Sequence, residues 1–370
     1  MVKKRNPAAD VIRCFALFCV VSVHFFLNSG FYDDPVCGTR MFIMTLMRNF
    51  FMICVPLFLM LSGYLLRNKQ LTKEYYKRIF KIIGVYVISG LACILFSIVF
   101  VDDEYNLGQV ILSILNYTAS PYAWYIEMYL GLFLLIPFLN IMYNNVPTKN
   151  WKQVLLLTFV VLTALPSIVN IYSFKSLFPG TSDAFKKLMP QWWVSIYPIT
   201  YYFIGCYLGE YGLKIRKIWC ALIVILSTLV VGMYSYYYSY GDIFEYSPWN
   251  EHEAFFTLLI AVFTFVFIMN LNYDKMNVRF AGFLRKVSGL CLGGYLVSWI
   301  FDRILYALLE RSVPVIPERL KYYFIIVPTV YVLSLLLSYF VDKIQWILEK
   351  VFCLIIVIFK KVKLINPSKD

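Results

Sequence analysis

The chain has 370 residues, 61% of them hydrophobic and only 15% charged, with a mean hydropathy of +0.71. Soluble domains carry about 25% charged residues, and a surface this apolar would not stay dispersed in water, so a soluble globular domain is excluded. The net charge of +13 would suggest nucleic acid in a soluble protein, but here the placement of the charges points to a membrane instead.

A spanning helix needs roughly 20 mainly apolar residues to cross about 30 Å of hydrocarbon. In chain order, ten stretches meet that test: 10–29, 42–66, 80–100, 122–143, 153–170, 191–211, 217–238, 254–271, 287–309 and 322–341. The fifth and tenth are the weakest, being short or interrupted by Pro166 and Pro328. The pattern predicts an all-α, polytopic integral membrane protein of about ten transmembrane helices. With the N-terminus inside, 24 of the 34 Lys and Arg fall in inner segments and 8 in outer ones, with Arg13 and Arg303 inside spans. That excess is what the positive-inside rule requires. It places both termini in the cytoplasm and the protein in the cytoplasmic membrane as a multi-pass chain.

The chain reads as one transmembrane domain over 1–345 and a basic amphipathic tail over 346–370. The tail alternates apolar residues with Lys350, Lys360, Lys361 and Lys363, a pattern suited to an anionic inner leaflet. Loops 101–121, 171–190 and 239–253 are long enough to cover a site. Most cysteines lie inside spans and only Cys37 sits in an outer loop, so no outer disulfide is expected. No metal spacing is present. His252-Glu253 fails as a zinc motif because Phe256 stands where the second histidine would be. The first apolar stretch has no small-residue cleavage site and reads as a retained helix.

Titratable groups inside a span are expensive and are functional candidates by default. Here they are Asp10, Arg13, His24, Glu127, Asp302 and Arg303, with Arg48 at an entrance. Arg13 and His24 are eleven positions apart, three helical turns plus about 20°, so both project from one face, roughly 16 Å apart along the axis. Snorkelling for Arg13 and a helix contact for His24 would be the bland explanation. His24 gains weight because the chain has only two histidines, and imidazole is the usual general base near neutral pH. Glu127 is expected at the depth of His24, placed to orient it or to pair with Arg48 or Arg303. Asp302 and Arg303 read as structural partners of other helices. Arg78 and Lys81, at i and i+3 before the third span, form a patch able to hold a polyanion.

These residues together resemble acyltransferase family 3, polytopic membrane enzymes that acylate, most often O-acetylate, surface polysaccharides. Arg13 and His24 match the family's R-x10-H signature. Phe58, Ser62, Gly63 and Tyr64 look like its F-x-x-S-G-Y/F segment with looser spacing. Arg78 matches the first arginine of its R-x-x-R motif, with Lys81 in place of the second. Trp124, Tyr125, Leu130 and Pro137 look like its tryptophan-tyrosine segment. Tyr122-Ala123 stand where many members carry a histidine before that tryptophan, which weakens any mechanism with a second histidine.

The resemblance implies acetyl-CoA or another acyl-CoA as donor, held by Arg13, Arg78 and Lys81. It implies His24 as general base or transient acyl carrier, with Glu127 tuning it. It implies a glycan or polysaccharide acceptor, contacted by Tyr64, Trp124 and Tyr125. A transporter or flippase for glycans or small anions is the rival reading. The absence of an internal repeat weighs against it.

Overall fold

The computed structural model describes residues 6–170 and 188–365, with side chains described up to Val351. Fourteen α-helices carry the described chain: α1 (Pro7–Asn28), α2 (Gly38–Phe51), α3 (Cys54–Leu66), α4 (Lys73–Tyr76), α5 (Ile79–Phe100), α6 (Leu107–Leu115), α7 (Trp124–Asn144), α8 (Lys149–Thr163), α9 (Pro166–Val169), α10 (Tyr197–Tyr211), α11 (Lys217–Tyr238), α12 (Phe255–Met269), α13 (Val278–Ser312) and α14 (Tyr323–Ile365). Among the described residues the only β pairing is an isolated bridge between Val36 and Tyr240.

Among the described residues, seven helical segments are long and apolar enough to cross a membrane: Pro7–Asn28, Gly38–Leu66, Lys73–Phe100, Trp124–Asn144, Lys217–Tyr238, Val278–Ser312 and Ile316–Val351. The chain is a multi-pass membrane protein. The other three expected spans correspond to α8 with α9, to α10 and to α12. The main helix of each is 15 residues long, about 22 Å, against the 30 Å or so of hydrocarbon. Helix length among the described residues thus bears out seven of the ten expected spans. Near Pro166 the chain passes from α8 to the four-residue α9, which shortens the fifth candidate.

Two helices overrun their apolar windows instead. α13 begins at Val278, nine residues before the expected 287, because Arg279, Arg285 and Lys286 continue it outside the apolar zone. α14 continues through Ile365, so the expected boundary at 345/346 falls within one helix. The side chains of 352–365, residues 366–370, and most of the 171–190 loop lie outside the described residues.

α1 is the central element. Its start is specified locally: the Asn6 side chain accepts from the Ala8 amide, Pro7 occupies the first turn, and Asp10 sits at the positive end of the helix dipole. It ends at Ser29, followed by Gly30 at φ +78, the left-handed position that terminates many helices. Thirteen of its residues, including Ile12, Leu17, Val21, Phe25 and Phe26, are buried. It packs against α2, α3, α12, α13 and α14. A helix enclosed on so many sides must satisfy any polar group it carries from its neighbours, and that condition shapes the site.

Helices α3 and α10 approach closely at two glycines. A Cβ on Gly63 would lie 1.9 Å from the Tyr202 carbonyl oxygen, and one on Gly205 would lie 2.0 Å from that of Met60. With no apolar-water contrast to drive association in lipid, helices gain by van der Waals approach at small residues. The Ser62-Gly63-Tyr64 segment thus has a packing reason for its glycine.

Candidate active site

A cavity of about 710 Å³ opens along one side of α1. From α1 it is lined by Arg13, Val20, Val23, His24 and Leu27. These are positions i, i+7, i+10, i+11 and i+14, one stripe of a helix. Phe58 and Ser62 of α3, Trp124, Tyr125 and Tyr129 of α7, and Gly289, Cys291 and Tyr295 of α13 complete the walls. Arg13 stands toward the N-terminal end of α1 and His24 roughly 16 Å along it, and both face one continuous space.

His24 is 8% exposed. Its Nδ1 lies 3.5 Å from Asp302 Oδ2 on α13. Nδ1 itself is inaccessible, so the ring meets the cavity through its other edge, the one carrying Nε2. A carboxylate beside Nδ1 favours the tautomer with the proton there, leaving the Nε2 lone pair free. Asp302 is 1% exposed. It accepts a 2.8 Å hydrogen bond from the Tyr122 hydroxyl, which in turn accepts from Asn28 Nδ2 at 3.0 Å. The Asn28 side chain also donates to the His24 carbonyl, one turn back on α1. The Tyr122 ring lies against the imidazole with centroids 3.7 Å apart. Asp302 Oδ1 has no hydrogen-bond partner among the described residues. A buried carboxylate with an unmet oxygen is strongly unfavourable unless function retains it. The 3.5 Å gap is longer than a formed hydrogen bond, and catalytic contacts of this kind often tighten only with substrate bound.

Glu127 does not orient His24. It is exposed on α7 and is not among the residues that line the cavity, lying on the side opposite Tyr125 and Tyr129 and next to the half-exposed Trp124. At 100° per residue it lies about 200° from Tyr125. Nor does it join Arg48 or Arg303. Arg48 pairs with Glu251, and Arg303 is exposed on α13. The carboxylate facing the imidazole belongs to Asp302, for which sequence reasoning favoured a structural role. The available signal was an acid nearly three turns from the end of a helix, inside an apolar segment, which does not by itself say which neighbour it faces.

The remaining expected residues divide. Trp124 and Tyr125 line the main cavity. Tyr64 does not. Its hydroxyl accepts from Asn6 Nδ2 at 3.3 Å, and the Arg67 guanidinium sits over its ring. Arg78 and Lys81 line a second cavity of about 320 Å³, between α5, α13 and α14. The two cavities share Ile82, Gly289 and Leu292 as common walls. Arg13, Arg78 and Lys81 are thus brought to two adjoining spaces rather than to one shared contact.

The end of the main cavity beyond His24 holds Arg48, expected at an entrance, and His252, which the sequence had offered only as part of a failed zinc motif. Arg48 is 1% exposed. It donates to the Tyr32 hydroxyl at 3.0 Å, to Asn49 Oδ1, to the Asn250 carbonyl and to Glu251 at 3.2 Å, with the rings of Phe244 and Tyr246 beside it. His252 lines the same space. Its ring is stacked on Trp124 at 5.7 Å, and its Nδ1 is 2.9 Å from the Met52 carbonyl. Burial pushes His252 down to about 4; the nearby Arg48 charge also lowers it, against the Met52 contact. The ring is therefore neutral near pH 7. An imidazole thus stands against Trp124, although the residues preceding that tryptophan are Tyr122 and Ala123.

The family model of the acyltransferase domain, acyltransferase family 3, matches residues 6–342, and the chain belongs to that family. No curated protein and no solved structure matches it.

Proposed function

We propose that this acyltransferase moves an acetyl group, or a similar acyl group, from acyl-CoA at the cytoplasmic face to a hydroxyl of a cell-surface glycan. The observation that carries the reading is the single cavity joining Arg13 to His24, with Asp302 behind the imidazole. Arg13 stands at one end, with Arg78 and Lys81 in the adjoining cavity, where a polyanionic donor would bind. A carboxylate-backed base stands well along the passage, where an acceptor from the other side would meet it.

In this reading Arg13, Arg78 and Lys81 hold the donor phosphates, and the pantetheine arm runs along the α1 stripe toward His24. Lys81 offers a point charge where an arginine would offer a fork, so Arg13 and Arg78 dominate the hold. His24 Nε2 takes the proton of the acceptor hydroxyl as its oxygen attacks the thioester carbonyl. Asp302, with Tyr122 and Asn28 behind it, fixes the ring and offsets the positive charge that forms on it. Collapse of the tetrahedral adduct breaks the C–S bond, and the imidazolium returns the proton to the leaving thiolate. Tyr125 and Trp124 wall the reaction space, and their apolar faces exclude competing water.

The test is to feed labelled acetyl-CoA to membranes carrying the protein or its His24→Ala variant, and to follow base-labile acetate on glycan. Transfer abolished at equal membrane expression supports the reading. Substantial residual transfer removes His24 as the reacting base.

A further inference from the structure

We infer that the cavity end beyond His24 is the acceptor subsite, and that it selects a hydroxyl-rich ring bearing no acidic group, positioned by a hydrogen bond from one of its hydroxyls to His252 Nε2. This rests on the acyl-transfer reading and adds which residues choose the acceptor and by what chemistry.

The hydrogen-bond inventory carries it. The Met52 carbonyl can only accept, so the 2.9 Å contact places the proton of His252 on Nδ1. Nε2 is then an acceptor that needs a donor. Arg48 is a cation at this end, but four of its five N–H groups are engaged by Tyr32, Asn49, Asn250 and Glu251. Its side chain is 1% exposed while that of Glu251 is 30% exposed. Arg48 lines the cavity beside them, but Glu251 offsets its charge, so the wall offers its visitor a carboxylate edge and an imidazole lone pair rather than a free cation. Such a surface takes O–H donors and repels carboxylates and phosphates. Two rings flank it. Trp124 is 45% exposed while stacked on His252, and Tyr246 is 55% exposed at the rim. Exposed aromatic faces of this kind suit the C–H face of a pyranose ring. Arg48 serves as a positioning residue, fixing the Glu251 carboxylate and the loop that carries His252.

The experiment uses the full chain purified in detergent, labelled acetyl-CoA, and methyl β-glucopyranoside and methyl β-glucuronide as probes. Thiol release and ester formation are followed separately. The expected result is acetyl ester on the glucoside and at least tenfold less on the glucuronide. In His252→Gln and in Trp124→Leu, glucoside KM rises at least tenfold while acetyl-CoA KM stays within twofold. Trp124 is half-exposed, so its replacement tests the subsite even if His252→Gln fails to fold. If thiol release depends on His24 but no glucoside ester forms, or both probes react equally, or the variants leave glucoside KM unchanged, the acceptor assignment is overturned and the acyl-transfer reading survives. If thiol release does not depend on His24, that reading falls and takes this inference with it.

Discussion

Replacing Asp302 by Asn tests the proposed chemistry most directly, because it keeps the volume and removes the charge. In the native arrangement the carboxylate lies 3.5 Å from His24 Nδ1. At an effective dielectric of about 20, a unit charge pair at that distance is worth about 5 kcal/mol. That stabilisation acts only while the imidazole holds the transferred proton, so it lowers the barrier and leaves donor binding alone. Each 1.36 kcal/mol is a factor of ten, which sets an upper bound of about three and a half decades. The Asn amide would also offer N–H to Nδ1 and favour the tautomer with the proton on Nε2, the wrong one for a base. We expect kcat to fall by about 10³ with acetyl-CoA KM unchanged. Tyr122→Phe keeps the ring against the imidazole but loses the 2.8 Å bond to the carboxylate, and kcat should fall about tenfold, in keeping with a hydrogen bond to a charged group. The assay is initial-rate acetyl transfer from labelled acetyl-CoA, with monodisperse elution in detergent as the folding control. An Asp302→Asn enzyme within tenfold of the parent kcat would refute the dyad and reduce Asp302 to a packing partner of Tyr122.

Glu127→Gln should leave transfer within twofold, since the side chain does not line the cavity; a hundredfold loss would restore it to the site. Arg13→Ala should raise acetyl-CoA KM with little change in kcat, and an unaltered KM would remove it from donor binding. Gly63→Ala pushes a methyl to within 1.9 Å of a carbonyl oxygen and should cost about 3 kcal/mol or more, seen as lost thermal stability in detergent. Gly131→Ala, which meets nothing within 4 Å, should be neutral or stabilising through helix propensity. His252 is pushed from 6.5 down to about 4 in the folded chain, so between these values the unfolded state binds the extra proton. Its contribution to stability is present above about pH 6.5 and lost as pH falls toward 4. His252→Gln should flatten that part of the melting-temperature profile, and an unchanged slope would show that another group sets it.

What the sequence determined by itself was the solvent and the opening motif. Runs of apolar residues interrupted by basic loops demand a bilayer, because no aqueous surface tolerates them. Eleven residues between Arg13 and His24 put both on one face of α1, because helical period is local geometry. The helix starts are as local: Asn6, Thr72, Asn106 and Thr148 each cap the helix that follows, a signal that the apolar windows did not use.

Helix packing decided the rest. Glu127 and Asp302 are both acids in apolar helices, and composition could not say which one faces His24. That depends on how α7 and α13 rotate and lean on α1, which is set by side-chain packing between helices far apart in sequence. His252 is likewise 228 positions from His24 in the chain, and it reaches the same cavity only because the loop after α11 is held there by Arg48. Local periodicity records which face a residue occupies; what that face meets is a property of the assembled bundle.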